Sequence, residues 1–285
     1  MKRKIDISEF SDFCFGVKRA ISLAESALKK YPKPIFSLGP LIHNRQVVSK
    51  LSKKGLNIVH DYKKIKGGTV VTRSHGVDPD VLDKIKRTKI DVIDATCPFV
   101  KNAQMLAEKL SQRGYNVIII GDKGHPEVKS LRSFSGDETS VIASKNDVKK
   151  LKFKKSKIGV IAQTTQSLRN FLEVISELLQ KEFDEIRIFN TICSDVSMRQ
   201  KSTERLSKDN DLVIVVGGKN SANTKRLHEI CKGIGTQAYH IESGCEIKDN
   251  WLKGKKTIGV VSGASTPRWI VEEVVARLKK CSKSR

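Results

Sequence analysis

Three cysteines, Cys14, Cys97 and Cys193, each stand directly before a stretch of helical periodicity. Cys14 is followed by FGVKRAISLAESALKK, with Val17, Ile21, Ala24 and Leu28 on one face. Cys97 is followed by PFVKNAQMLAEKLSQRG, where Pro98 suits a first helical turn and Gly114 a stop. Cys193 is followed by SDVSMRQKSTERLSK, where Ser194 or Asp195 can cap the start. Three converging thiolates can hold zinc, with a histidine as fourth ligand. They can equally hold a [4Fe–4S] cluster, which wants one ligand per iron and so keeps one iron open. An open iron is a Lewis acid and an electron source, the chemistry of a reductase or a dehydratase. Plain burial of three small apolar thiols is the bland alternative.

A second set of groups recurs behind each cysteine. The apolar runs PIFSLG (34–39), NVIIIG (116–121) and DLVIVVGG (211–218) end at or near glycine and open into polar turns. These turns carry His43, then His125 with Glu127, then Ser221 with Asn223. His43, His125 and Asn223 lie at +29, +28 and +30 from their cysteines, and Ser221 at +28. Further on, TVVTRSHGV, IGVIAQTTQS and IGVVSGAST supply His75, Thr164 and Ser265 at +61, +67 and +72. Imidazoles donate to phosphate oxygens and change charge near neutral pH. Ser221, Asn223 and Ser265 are neutral donors, and Gly217, Gly218 and Gly263 let main chain come close to an anion. Glu127 is the one carboxyl in this set, and a carboxyl beside a metal centre is a natural proton donor tuned by burial. GGKNSAN lacks the Gly-Lys-Ser/Thr ending of a Walker A loop.

The elements that must position these groups follow the order Cys–helix–strand–polar turn–helix–strand–helix–strand–polar turn, three times over. Alternating strands and helices specify an α/β protein with covered parallel sheets, whose ligands bind beyond the carboxyl ends of the strands. The expected architecture is three small α/β lobes with mostly parallel sheets around a pseudo-threefold axis, with the three cysteines, the three histidines and Glu127 around one central cavity. Residues 1–96, 97–190 and 191–285 form the lobes, the last ending in a basic tail. Cys231 falls among helix-core residues, Cys245 and Cys281 have no counterparts in the other thirds, and His60, His228 and His240 lie outside the repeated turns.

The chain has 285 residues, 38% hydrophobic and 30% charged, as in a globular rather than a disordered protein, and its longest apolar run, the five residues Leu212–Val216, falls far short of a membrane span. The 54 Lys and Arg outnumber the 31 Asp and Glu, giving a net charge of +23. That balance favours anionic partners. The lysines are spread along the chain, as in KLKFKKSK at 150–157, rather than gathered in an aromatic-interleaved stripe, so no nucleic-acid surface is expected. MKRKIDISEF is basic but lacks the apolar core of a signal peptide, and no CxxC pair occurs. The expected location is the cytoplasm, where disulfides are rare.

Eight ordered motifs, FCFGVKRAI, IHN, SHGV, DATCP, GHPEV, AQTT, GGKNSAN and SGAST, resemble the 4-hydroxy-3-methylbut-2-enyl diphosphate reductase family over residues 9–279. The resemblance implies an oxygen-sensitive [4Fe–4S] enzyme at the last step of the non-mevalonate isoprenoid pathway. It would reduce the allylic alcohol diphosphate to isopentenyl and dimethylallyl diphosphate with loss of water. By the same resemblance Cys14, Cys97 and Cys193 would ligate three irons and the fourth would be open to substrate. His43, His75, His125, Thr164, Ser221, Asn223 and Ser265 would bind the substrate, and Glu127, with Thr164 and His125, would relay the proton. Reduced ferredoxin or flavodoxin would deliver the electrons, to a monomer or a dimer. The chain departs from the family pattern at Asp12, usually Gly, at Phe15, often small, and at Ala222, often Ser. A quinolinate-synthase-like cluster enzyme is the rival within the same chemistry, and a basic nucleic-acid-binding protein with structural zinc the rival outside it.

Overall fold

The computed structural model describes residues 3–88, 90–136, 138–151 and 157–283. The chain opens with strand β1 (Lys4–Ile7). After Cys14 come α1 (Phe15–Lys30), β2 (Ile35–Leu38), α2 (Arg45–Lys53), β3 (Leu56–Val59), β4 (Thr69–Val71), α3 (Pro79–Lys86) and β5 (Asp91–Ile93). After Cys97 come α4 (Pro98–Gln112), β6 (Asn116–Ile120), α5 (Pro126–Ser135), β7 (Ser140–Ile142), the short α6 (Lys145–Val148), β8 (Lys157–Ala162), α7 (Leu168–Leu178) and β9 (Glu185–Ile188). After Cys193 come α8 (Ser194–Asp209), β10 (Leu212–Val216), α9 (Ala222–Ile234), β11 (Ala238–Ile241), β12 (Thr257–Ser262) and α10 (Arg268–Lys283).

The strands make three four-stranded sheets with orders β3-β2-β4-β5, β7-β6-β8-β9 and β11-β10-β12-β1, every pairing parallel. The expected mostly parallel sheets are therefore present, one per repeat. Beyond the second polar turn each repeat adds a helix, α3, α7 or α10, and the first two repeats add a fourth strand, β5 or β9. The fourth strand of the third sheet is β1, which pairs with β12 from Lys4 opposite Thr257 to Ile7 opposite Val260. The sequence reading counted residues 1–96 with the first lobe; the ladder puts β1 in the third. None of its four residues KIDI is fully buried at this sheet edge, and the strand is too short and too polar to announce a sheet from sequence.

By its internal contacts the chain divides into two compact units. One comprises Met1–Val17, His43–Val47 and Ser194–Arg285, and holds the third sheet; the other comprises Lys18–Ile42 and Val48–Cys193, and holds the first two. Every residue of β6 (NVIII) and of β10 (LVIVV) is buried, as parallel strands covered on both faces require. The two-residue period splits β10 between two clusters. Leu212, Ile214 and Val216 pack with Ile270, Val274 and Leu278 of α10, while Val213 and Val215 pack with Leu206 of α8 and Leu227 and Cys231 of α9. β6 does the same, sending Ile118 and Ile120 to Phe171, Val174 and Leu178 of α7, and Val117 and Ile119 to Ala103, Ala107 and Leu110 of α4. Each buried aliphatic chain contributes about 1.5–3 kcal/mol, so these central strands are rigid platforms for the turns at their ends. Residues 152–156 of the lysine-rich stretch lie outside the described residues. Among the described residues no helix is long and apolar enough to cross a membrane.

Candidate functional site

The three cysteines are anchored alike. The Cys97 N–H donates to Ser74 O, the Cys193 N–H to Thr164 O and the Cys14 N–H to Ala264 O, each at 3.0 Å. Each acceptor sits in the polar turn after the third strand of a repeat, one residue or less from His75, Thr164 and Ser265. The sequence repeat is thus a repeat of hydrogen bonds, tying each partly buried thiol to the turn that carries a binding candidate.

In the unit that holds the first two sheets, the stretch GDKGHPEV turns from β6 into α5. His125 is the N-cap, its Nδ1 accepting the Glu127 N–H at 3.2 Å, with Pro126 in the first turn. That cap directs Glu127 inward, where it is 1% exposed. One carboxylate oxygen accepts the Thr164 N–H at 2.6 Å and the other the Thr164 hydroxyl at 2.9 Å. Burial pushes the Glu127 pKa up to about 7, against the two Thr164 donors, which favour the anion. The carboxyl is therefore poised to hold and release a proton near neutral pH. His75 stands edge-on to His125, ring centroids 5.5 Å apart. Burial also raises the Cys97 pKa; the Phe99 and Val100 N–H groups oppose this, and Cys193 and Glu127 add to it. Cys97, Cys193, Glu127, Thr164, His75 and His125 thus belong to one electrostatic neighbourhood. A thiol that resists ionisation by burial and by its neighbours, as Cys97 does, fits a cationic centre, which would supply the missing counter-charge.

In the other unit, Ser221 caps α9, its hydroxyl accepting the Thr224 N–H at 3.3 Å. Asn223 is 3% exposed, and neither amide atom has a partner among the described residues. A buried unpaired amide costs about 1–3 kcal/mol, a cost that a bound polar ligand removes. Ser265 donates to His43 O at 3.1 Å. Gly218 comes so close that a Cβ there would overlap His43 O, which explains a glycine at this point. Cys14, His43, Ser221, Asn223 and Ser265 are thereby placed on the turns at the carboxyl ends of this unit's strands and the adjoining 43–47 segment. His43, His125 and Ser221 all lie at or beside a helix N-terminus, where N–H groups and the helix dipole favour an anion.

Sequence reasoning missed several supporting groups. Asn44 accepts the Val47 N–H at 3.1 Å and so caps α2, a role its place before the helical run could have signalled. Gln163 accepts the Asp122 N–H at 2.9 Å and donates to the Thr165 hydroxyl at 2.8 Å, joining the β6 turn to the β8 turn; no sequence signal marks it. Of the departures, Asp12 accepts the Phe13 N–H at 2.7 Å and the Arg268 N–H at 3.3 Å, so its side chain organises the approach to Cys14. Phe15 is an exposed first residue of α1, and Ala222 the first residue of α9. Cys231 is fully buried in the core, as its helical surroundings suggested.

A family model described as LytB protein matches residues 5–279. A relative from Trichlorobacter lovleyi, named 4-hydroxy-3-methylbut-2-enyl diphosphate reductase, is 45% identical over 281 residues and 99% of both chains. One from Pelobacter propionicus with the same name is 44% identical over 98% of this chain and 99% of its own. Among solved structures, one of (E)-4-hydroxy-3-methyl-but-2-enyl diphosphate reductase, the terminal enzyme of the non-mevalonate pathway, matches with TM-score 0.70 at 39% identity over 98% of this chain and 99% of that one. Another, of the E-1-hydroxy-2-methyl-but-2-enyl-4-diphosphate reductase from Plasmodium falciparum, matches with TM-score 0.90 at 28% identity, covering 97% of this chain and 88% of that one.

Proposed function

The chain belongs to the LytB protein family and acts as a 4-hydroxy-3-methylbut-2-enyl diphosphate reductase of the non-mevalonate pathway, and we propose that it does so at a [4Fe–4S] cluster held by Cys14, Cys97 and Cys193. The family is one of iron–sulfur enzymes. What supports this ligand set is the common anchoring of the three cysteines and the fit of the Cys97 environment to a cationic centre. When bound, such a cluster supplies single electrons and one iron free of thiolate to act as a Lewis acid.

The chain's own residues do the rest. Reductive loss of the substrate hydroxyl consumes two electrons and two protons, releasing water and leaving isopentenyl or dimethylallyl diphosphate. Glu127, protonated over part of the population near neutral pH, gives up the proton that lets the hydroxyl leave as water. Thr164 holds that carboxyl by both oxygens and fixes its direction. His125 caps the same helix and, with His43, His75, Thr164, Ser221, Asn223 and Ser265, binds the substrate, the histidines and helix N-termini taking the diphosphate charge. The unpartnered Asn223 amide awaits such a ligand. The electrons come from a reduced ferredoxin or flavodoxin in the cytoplasm, an acidic carrier suiting a chain of net charge +23.

The observation that carries the reading is the buried Glu127 carboxyl, held by Thr164, whose carbonyl anchors Cys193. The test is anaerobic purification or reconstitution. A brown protein with about four irons per chain, turning over the substrate with a strong reductant, is expected for a [4Fe–4S] enzyme. A colourless, zinc-loaded and inert protein would refute it.

A further inference from the structure

Arg199, six residues beyond Cys193 in α8, is 3% exposed. Its guanidinium is used almost wholly on main-chain oxygens. Nη2 donates to Asp12 O at 2.7 Å, and Nη1 donates to Phe10 O and, at 3.3 Å, to Ser262 O. Nε pairs with Asp195 Oδ2 at 2.7 Å, one helical turn back. Phe10 and Asp12 belong to the irregular segment between β1 and Cys14. Ser262 ends β12, two residues before Ala264, whose carbonyl takes the Cys14 N–H. One side chain therefore braces both the chain entering Cys14 and the turn that anchors the Cys14 amide.

The device occurs a second time. Arg19, five residues beyond Cys14 in α1, donates through Nη1 to Thr96 O at 3.1 Å and through Nη2 to Asp94 O at 3.2 Å. Those carbonyls lie in the segment between β5 and Cys97. The third approach is fixed differently: the Thr191 hydroxyl donates to Ala162 O and accepts the Ala162 N–H at 2.9 Å, two residues before Cys193. These approach segments leave the strand ladder before reaching the cysteine, so their carbonyls need other donors. Arginine suits the task because its five N–H donors form a rigid planar fork, whereas a lysine ammonium is a single swivelling point.

We propose that Arg199 and Arg19 are positioning residues for the cluster thiols. Each lies on the helix following one cysteine and fixes, through main-chain carbonyls, the segment that delivers another: Arg199 for Cys14, Arg19 for Cys97. The proposal rests on the reading of these cysteines as cluster ligands. Groups that orient metal ligands without touching the metal change its retention by about 10–100-fold when removed.

The experiment compares the reconstituted holoenzyme with Arg199→Lys and Arg19→Lys under anaerobic conditions. Iron release to 2,2′-bipyridyl, the EPR spectrum of the dithionite-reduced cluster and the melting temperature of the metal-free chain are recorded. Positioning predicts iron release about tenfold faster and an altered EPR spectrum in both variants. A residue that serves the fold alone would lower the melting temperature while leaving release and spectrum at parent values, and that result overturns its assignment. Should Arg199→Lys fail to fold, Asp195→Asn is read by the same criteria, since it keeps the guanidinium but frees its Nε. A parent protein that binds no iron at all refutes the cluster reading itself, and this inference with it.

Discussion

Replacing Glu127 by Gln keeps the shape of the side chain and removes its proton. The fold should tolerate the change: the amide oxygen can still accept the Thr164 N–H, and the amide nitrogen can donate to the Thr164 hydroxyl, which turns from donor to acceptor. Two quantities follow from the structure. A general acid contributes about 10²–10⁴-fold to a rate, so Glu127→Gln should lower kcat by that factor while the cluster spectrum persists. The parent's activity should fall as pH rises through about 7, where Glu127 ionises, and the variant should lack this limb. Stability changes with the same sign. The folded carboxyl holds its proton to about pH 7, while the ordinary value is 4.5. The associated stability is therefore fully present below pH 4.5 and lost as pH climbs to about 7. The loss is on the order of 3 kcal/mol, at about 1.4 kcal/mol per pH unit. Thr164→Val removes the hydroxyl donor, worth about 1.5–3 kcal/mol to the carboxylate, and should move the limb upward by about one to two units. The assay is anaerobic single turnover with pre-reduced enzyme across pH 5.5–9. Parent-like rates in Glu127→Gln, or an alkaline limb unchanged in that variant, would show that the proton comes from elsewhere.

Other consequences are as direct. Asn223→Ala should raise KM for the diphosphate substrate about tenfold, in line with one lost hydrogen bond to a charged group, yet leave the ligand-free chain at least as stable in thermal melts, because its amide has no protein partner among the described residues. A drop in melting temperature without a change in KM would contradict that. Gly263→Ala puts a methyl group onto the Thr224 hydroxyl and should cost about 1–3 kcal/mol in denaturant titration, part of which Thr224→Ala in the same chain should restore. Ile119→Ala, at a fully buried position of β6, should cost about 2–5 kcal/mol, and a value under 1 kcal/mol would mean the strand is not the platform described.

How much was legible beforehand varied with the kind of signal. The central strands NVIII and LVIVV could be read because a parallel strand covered on both faces has no polar alternation to confuse it. The start of the helix after Cys97 could be read from Pro98, a first-turn proline that marks the boundary. The edge strands β1 (KIDI), β5 (DVI) and β9 (EIRI) escaped, being three or four residues long and half exposed. The helices α3, α7 and α10 lie beyond the second polar turn of each repeat, where the pattern led by the cysteines ends.

By itself the sequence determined the chemical inventory of this protein: three cysteines each opening a helix, and a His, Ser, Asn or Thr at matching offsets on the turns behind them. Those follow from local rules of period, cap and turn, which act over a few residues. Tertiary structure alone decided that β1 closes the last sheet, that Glu127 is buried on Thr164, and that Arg199 holds the approach to Cys14 across 185 and more residues. No local pattern encodes such pairings. They depend on which carbonyls and carboxyls folding has taken out of water, and on which distant donors it has brought within about 3 Å of them.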